Sequence, residues 1–281
     1  MKYASFDGPN GSSYGVVQGD HLVEASKSFR LQYPTLKDVL ANNALDSIET
    51  DPSAIALKDV HLLPPVPNAG KVICVGINYE KKYPVEGAPP PLPDHIILFA
   101  KQEGTLIGHE DMLEYPAGEA ADTFDYEGEI AIIIGKPGRH ISRHSAMDHV
   151  AGYTIVNDGS VRAWQKHSLH AGKNFNRCGG CGPWMVTPDE MPKPDRMELT
   201  TRLNGNTVQH TTASKMIFPI DEVISYISQF QQLNPGDIIA TGSPEGAGGS
   251  FDPPRFLKAG DRLEMEVTGI GVLANTVGSR D

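Results

Sequence analysis

Apolar residues fall mostly into short, β-branched runs separated by glycine, proline and polar turns. The runs KVICVGINY, HIILFAK, EIAIIIG, GYTIVND and GDIIATG each read as a strand. MELTTRLNGNTVQHT reads as a hairpin with Asn204 and Gly205 at its turn, and DRLEMEVTGIGVLANTV as further strand. Helical spacing is clearest in PIDEVISYISQFQQL, where Ile220, Val223, Ile224, Ile227 and Phe230 share a face and Asn234, Pro235 and Gly236 close the segment. TLKDVLAN and SRHSAMDHVAGY predict two shorter helices. Strands dominate without regular βαβ alternation, so the fold class is a mixed, β-rich α+β. The prolines and glycines of LLPPVPNAGKV read as a linker. They divide a small N-terminal domain, 1–65, from a main domain, 70–281.

The chain has 281 residues, 39% hydrophobic and 21% charged, which suits a globular protein with a real core. Its opening, MKYASFDGPNGSSYGVV, has no apolar h-region, and no stretch approaches the ~18 apolar residues of a spanning helix. No membrane partner is expected, and the cytoplasm is the expected location. The formal net charge is -11 and no Lys/Arg run stands out, so no nucleic-acid partner is expected either. An acidic chain that binds an anionic substrate must supply local cations, for which Lys101, Arg162 and Lys173 are candidates. Cys74, Cys178 and Cys181 do not make a disulfide framework, which points to a reducing compartment.

Several motifs are set aside. RCGGC holds one C-x-x-C without the second pair zinc needs, and reads as two small residues in a tight loop. His144 and His149, with His140 upstream, lack the spacing and the glutamate of a zinc-protease helix and read as solvated. GIGVLA lacks the following helix and strand that would make it a dinucleotide turn. GSPEGAGGS lacks the Lys-Ser/Thr of a phosphate loop.

FDYEGEIAIIIGK is different. Positions two apart on a strand share a face, so Glu127 and Glu129 lie side by side at the mouth of a buried run. Like charges there repel and lose hydration. Asp158 closes GYTIVND in the same way. Three carboxylates at strand ends suit a hard cation, whose charge would offset their repulsion. Solvated strand-end acids are the alternative reading of the same pattern.

FDYEGEIAIIIGK, GYTIVNDGSVRAWQ, AGKNFNRCGGCGPWMVT, LNGNTVQ, ATGSPEGAGG and PPRFLKAGDRLEMEVTGIGVLANTV occur in this order. Together they resemble the fumarylacetoacetate hydrolase (FAH) superfamily across roughly 71–281, in the branch of acylpyruvases and 5-carboxymethyl-2-hydroxymuconate isomerases. The resemblance implies a β-roll of mixed sheets with a small, variable N-terminal domain, and a homodimer. It implies one divalent cation, magnesium or manganese with calcium as a further option, on Glu127, Glu129 and Asp158. It sets Arg162 and Gln165 near the substrate, Lys173 among the catalytic groups, and Tyr79 and Thr241 on the substrate. Lys101 is added there as a further cation. The substrate it implies is a small anionic 2-oxo acid or its enol.

One departure bears on the reaction. Many relatives carry G-x-N-Y-x-x-H-x-x-E, whose His and Glu sit on a lid and activate water. Here GINYEKKYPVEG keeps Gly76, Asn78 and Tyr79, but Lys82 and Val85 stand at the His and Glu positions, with Glu86 one step off as a substitute base. The stretch 80–95, rich in proline and charge, is expected to be poorly ordered until it closes over ligand. Hydrolytic C–C cleavage of an acylpyruvate-like acid is the first expectation. Isomerisation, tautomerisation or decarboxylation of a hydroxymuconate- or oxaloacetate-like diacid is the second. A metal-binding dimer without turnover is the third.

Overall fold

The computed structural model describes residues 1–9, 11–80 and 92–279. Lys82, Val85 and Glu86, and with them most of the expected lid, fall outside the described residues.

The strand Gly128–Ile134 is buried along its whole length. Its side chains alternate between two cores. Ile130, Ile132 and Ile134 pack with Val223, Ile224 and Ile227 of the helix Ile220–Phe230 and with Leu199 and Leu263 of a second sheet. Ala131 and Ile133 pack on the other side with Tyr3, Tyr14, Leu36 and Val39. A strand covered on both faces can be apolar at every position, which is why this run does not alternate with polar residues. Each fully buried isoleucine contributes ~1.5–3 kcal/mol.

Around it runs a sheet of twelve strands among the described residues. Its central order is Lys2–Gly8, Gly179–Val186, Val150–Asn157, Gly128–Ile134, Ile238–Ala240, Val72–Gly76 and Ile97–Lys101. Beyond Lys2–Gly8 the sheet continues through Gly11–Gln18, His21–Ala25 and Thr50–Ala56. Residues 1–65 thus join the main sheet edge to edge, with Lys2 opposite Val186 and Tyr3 opposite Met185. The proline-rich stretch at 62–72 marks a change of course for the chain, not a break in the sheet.

A second, five-stranded sheet holds the hairpin Glu198–Leu203 and Asn206–Thr212, followed by Arg262–Val267, Gly271–Val277 and Met112–Leu113. Asn204 and Gly205 both have positive φ, 50° and 79°, as the tight turn between twisted strands requires. The helix Ile220–Phe230 starts after Pro219, with Asp221 and Glu222 in its first turn against the positive end of the helix dipole. The short helix Leu36–Ala41 has a full capping box between Thr35 and Asp38. The fold is therefore the mixed, strand-rich α+β that the patterning predicts.

The short helix expected in SRHSAMDHVAGY is present as the 3-10 helix Arg143–His149. Two local expectations change. His149 is buried, with Nδ1 2.8 Å from the Lys136 carbonyl oxygen, so it is a core histidine and not a solvated one. RCGGC is no loop: it leads into the strand Gly179–Val186, and Cys178 and Cys181 are buried free thiols. Glycine is needed there because a Cβ on Gly179 would come 2.3 Å from the Asn157 carbonyl oxygen.

Candidate metal and active site

Antiparallel pairing sets Gly128 opposite Asn157. Just beyond, the Asp158 N–H donates to the Glu127 carbonyl at 2.8 Å, and Asp125 pairs with Ser160 in a short two-stranded ladder. This register brings the start of one strand to the end of its neighbour. Glu127, Glu129 and Asp158, all buried, each offer a carboxylate oxygen, and these oxygens lie within 4.8 Å of one another. An all-oxygen, all-carboxylate set fits a hard divalent cation and could hold one. The residue between the two glutamates must be small: a Cβ on Gly128 would sit 2.3 Å from the Thr201 hydroxyl oxygen.

A fourth carboxylate, Asp125, is buried beside them. Three cations meet Asp125, Glu127 and Asp158. Lys173 ends the short helix Leu169–Lys173, and its ammonium donates to Glu127 Oε2 at 2.5 Å and to Asp158 Oδ2. Arg162 opens the helix Arg162–Gln165 and donates through Nε to Asp125 at 2.7 Å and through Nη2 to Glu127 at 2.8 Å. Lys101, at the end of its strand, donates to Asp158 Oδ1 at 2.7 Å. Buried charges are tolerated when paired and hydrogen-bonded in this way.

Burial works against the charge on Lys173, but Asp158 and then Glu127 outweigh it and raise its pKa. The same balance, with Glu127 and Asp125 as partners, raises that of Arg162. Among the described residues, Glu129 has no such cation in contact. Burial, then Asp158 and Glu127, push its carboxyl well above the ordinary carboxylate range. The Gly242 N–H donates to its Oε2 at 2.7 Å.

The other residues picked from the sequence divide. Gln165 accepts from Arg162 Nη1 at 3.4 Å at the half-buried edge of the site. Tyr79 is buried, and its hydroxyl has no hydrogen-bond partner among the described residues. Burial and the charge of Glu129 raise its pKa, so it stays a neutral phenol. Thr241 lies beneath the site, its hydroxyl donating to the Ile130 carbonyl at 2.7 Å. Lys101, expected on the substrate, is buried and turned into the protein. Its three N–H donors go to Asp158, to the Gly159 carbonyl at 3.0 Å and to the Lys173 carbonyl at 2.7 Å, so it braces Asp158 from within the protein. Asp125 was not singled out by the sequence reading. Its one signal is the same two-residue spacing, since Asp125, Glu127 and Glu129 alternate in FDYEGE.

The chain is similar to proteins of known family. The fumarylacetoacetate (FAA) hydrolase C-terminal family matches residues 71–278. The chain is 40% identical over 226 residues to the oxaloacetate tautomerase YisK of Bacillus subtilis, covering 79% of this chain and 75% of that one. Its structure is similar to that of 5-carboxymethyl-2-hydroxymuconate delta-isomerase from Mycobacterium smegmatis, with a TM-score of 0.80, 30% identity and all of both chains covered. It is also similar to maleylpyruvate hydrolase from Sphingobium sp. SYK-6 in complex with manganese (II) ion and pyruvate, with a TM-score of 0.79, 26% identity and full coverage of both chains.

Proposed function

This chain belongs to the fumarylacetoacetate hydrolase family of enzymes, and from that premise we propose that it interconverts the keto and enol forms of a small 2-oxo dicarboxylate of the oxaloacetate class. The observation that carries the proposal is the buried trio Glu127, Glu129 and Asp158 with the Lys173 ammonium in contact with two of its members. Similarity to a protein named for oxaloacetate tautomerisation supplies the substrate class. The order of the sequence expectations is thereby reversed, with tautomerisation ahead of hydrolysis. Lys82 and Val85 support the same order, because tautomerisation needs no activated water.

Glu127, Glu129 and Asp158 would hold one magnesium or manganese ion. When bound, that ion supplies Lewis acidity toward a 2-oxo group and its neighbouring carboxylate. The chain's own groups do the rest. In the keto-to-enol direction the C3–H bond breaks, its electron pair forms the C2–C3 double bond, and the 2-oxygen takes up a proton. Lys173, held as an ammonium by its acidic neighbours, is a hydrogen-bond donor toward that oxygen and not a base. Arg162 adds fixed positive charge at the same edge, with Gln165 beside it. Tyr79 offers a neutral hydroxyl whose hydrogen-bonding capacity a substrate can satisfy. Lys101 and Thr241 act from below, by holding Asp158 and the strand Gly128–Ile134. Glu86 stays the candidate base for the C3 proton. This reading carries with it a homodimer working in the cytoplasm.

Hydrolytic C–C cleavage is the second reading, favoured by the similarity to a maleylpyruvate hydrolase over the whole chain. One panel separates the two: oxaloacetate, an acylpyruvate and a hydroxymuconate, each with Mg²⁺ or Mn²⁺ and with a chelator. Metal-dependent tautomerisation of oxaloacetate without cleavage of the acylpyruvate is the expected result. Cleavage of the acylpyruvate with no effect on oxaloacetate would overturn it.

A further inference from the structure

The glycine-rich stretch GSPEGAGGS, residues 242–250, runs along the acid segment 125–129 in the opposite direction and is tied to it at successive points. Gly242 holds Glu129, as described above. Further along, the Gly246 carbonyl accepts from the Tyr126 hydroxyl at 3.0 Å. The N–H groups of Gly248 and Gly249 donate to Oδ1 and Oδ2 of Asp125 at 2.6 and 2.9 Å. Between these ties stands Gln209, which reaches in from the second sheet. Its Oε1 accepts from the Gly128 N–H at 3.0 Å, and its Nε2 donates to the Pro244 carbonyl at 3.1 Å.

Both side chains at this joint are buried and hydrogen-bonded. Asp125 accepts from Gly248, Gly249, Arg162 Nε and its neighbour's N–H at Tyr126. Gln209 uses its carbonyl on the peptide between the two glutamates and its amide on the loop. The contact is too close for larger residues: a Cβ on Gly246 would lie 1.9 Å from the Val208 carbonyl oxygen, and one on Gly248 2.6 Å from Asp125 Oδ1.

The ties bear on the cation ligands through two routes. With Nε on Asp125, the Arg162 fork reaches Glu127 through Nη2. A guanidinium released from Asp125 would favour bidentate pairing, which engages both oxygens of Glu127. Gln209 in turn fixes the peptide from which Glu127 and Glu129 project.

We propose that Asp125 and Gln209 are positioning residues that bind the 242–250 loop to the acid segment, so that loop order and cation affinity are coupled. This inference rests on the cation-site reading of Glu127, Glu129 and Asp158. Coupling of this kind is reciprocal: the cation steadies the loop, and the loop's ties raise affinity for the cation.

The test uses the full chain with Mn²⁺ alone as probe, in calorimetric titrations and hydrogen–deuterium exchange. In the parent, Mn²⁺ slows exchange in 242–250. In Asp125→Asn and Gln209→Met, exchange in 242–250 quickens and Mn²⁺ affinity per folded molecule falls about five-fold or more. A purely structural role lowers the melting temperature and leaves the affinity of folded molecules unchanged; that result overturns the inference. Should Asp125→Asn not fold, Gln209→Met decides by the same two readouts. A parent that binds no Mn²⁺ overturns the cation-site reading as well, whereas a parent that binds it, with unaltered variants, overturns the coupling alone.

Discussion

Oε2 of Glu127 lies 2.5 Å from the ammonium of Lys173, and both side chains are buried. That contact answers how two glutamates, Glu127 and Glu129, can stand side by side at the start of an apolar strand. Part of their charge is met by the chain itself, from a lysine on a helix that follows Asp158. Lys173 is therefore held charged where negative charge grows on a substrate oxygen. In Lys173→Met, kcat is expected to fall ~10²-fold or more, the usual loss for a donor of this kind. Steady-state rates with saturating Mn²⁺ check this; turnover close to the parent's would move the role to Arg162.

Glu129 is the acid of the trio that no cationic side chain of the described residues contacts. Its carboxylate is thus the ligand most dependent on an added cation. Glu129→Gln is expected to lose affinity for Mn²⁺ by about ten-fold or more, since even outer-shell changes cost that much. Titration of the folded variant measures it, and parent-like affinity would remove Glu129 from the ligand set.

Lys101 carries a structural prediction. Its side chain and that of Asp158 are both 0% exposed, and they meet at 2.7 Å. Removing one partner of a buried pair leaves an uncompensated charge and costs ~3–5 kcal/mol. Urea unfolding of Lys101→Met, without added metal, should show a loss in that range. A loss like that of an ordinary surface substitution would mean Asp158 is adequately held by Lys173.

Much of this was legible in the sequence because it is local. The run 130–134, the hairpin turn at Asn204 and Gly205, and the spacing of Ile220, Val223, Ile224 and Ile227 each follow from period and turn chemistry. Glu127, Glu129 and Asp158 were found because carboxylates at the ends of apolar strands are costly without a reason. What escaped depends on contacts between distant segments. Nothing near Tyr3 indicates that it pairs with Met185. Lys101 ends an apolar strand just as a substrate-facing lysine would, and only the fold turns it toward Asp158. Asp125 looks like a solvated strand end until Gly248, Gly249 and Arg162 close over it. His149 has the sequence setting of a surface helix and becomes buried through the Lys136 carbonyl.

A pH dependence follows from His109, away from the acid cluster. Its Nδ1 accepts the Ala274 N–H at 3.1 Å, which only an unprotonated nitrogen can do. Burial lowers its pKa from the ordinary 6.5; Glu110 opposes the shift and Arg262 adds to it. The unfolded chain therefore takes up this proton first as the pH falls. The contribution of His109 is complete above pH 6.5 and is lost as the pH drops through the lower, folded value. Between about pH 7.5 and about pH 5.5, the parent should lose more denaturant stability than His109→Gln, which keeps an acceptor without titrating. Equal losses in the two proteins would exclude His109 as the source.

The most direct measurement is the rate at which oxaloacetate relaxes from its enol to its keto form, followed by ultraviolet absorbance with catalytic amounts of the protein. The account predicts acceleration with Mg²⁺ or Mn²⁺, reversal by a chelator, and its loss in both Glu129→Gln and Lys173→Met. A relaxation rate equal to the uncatalysed one, in a protein shown to bind the metal, would contradict it.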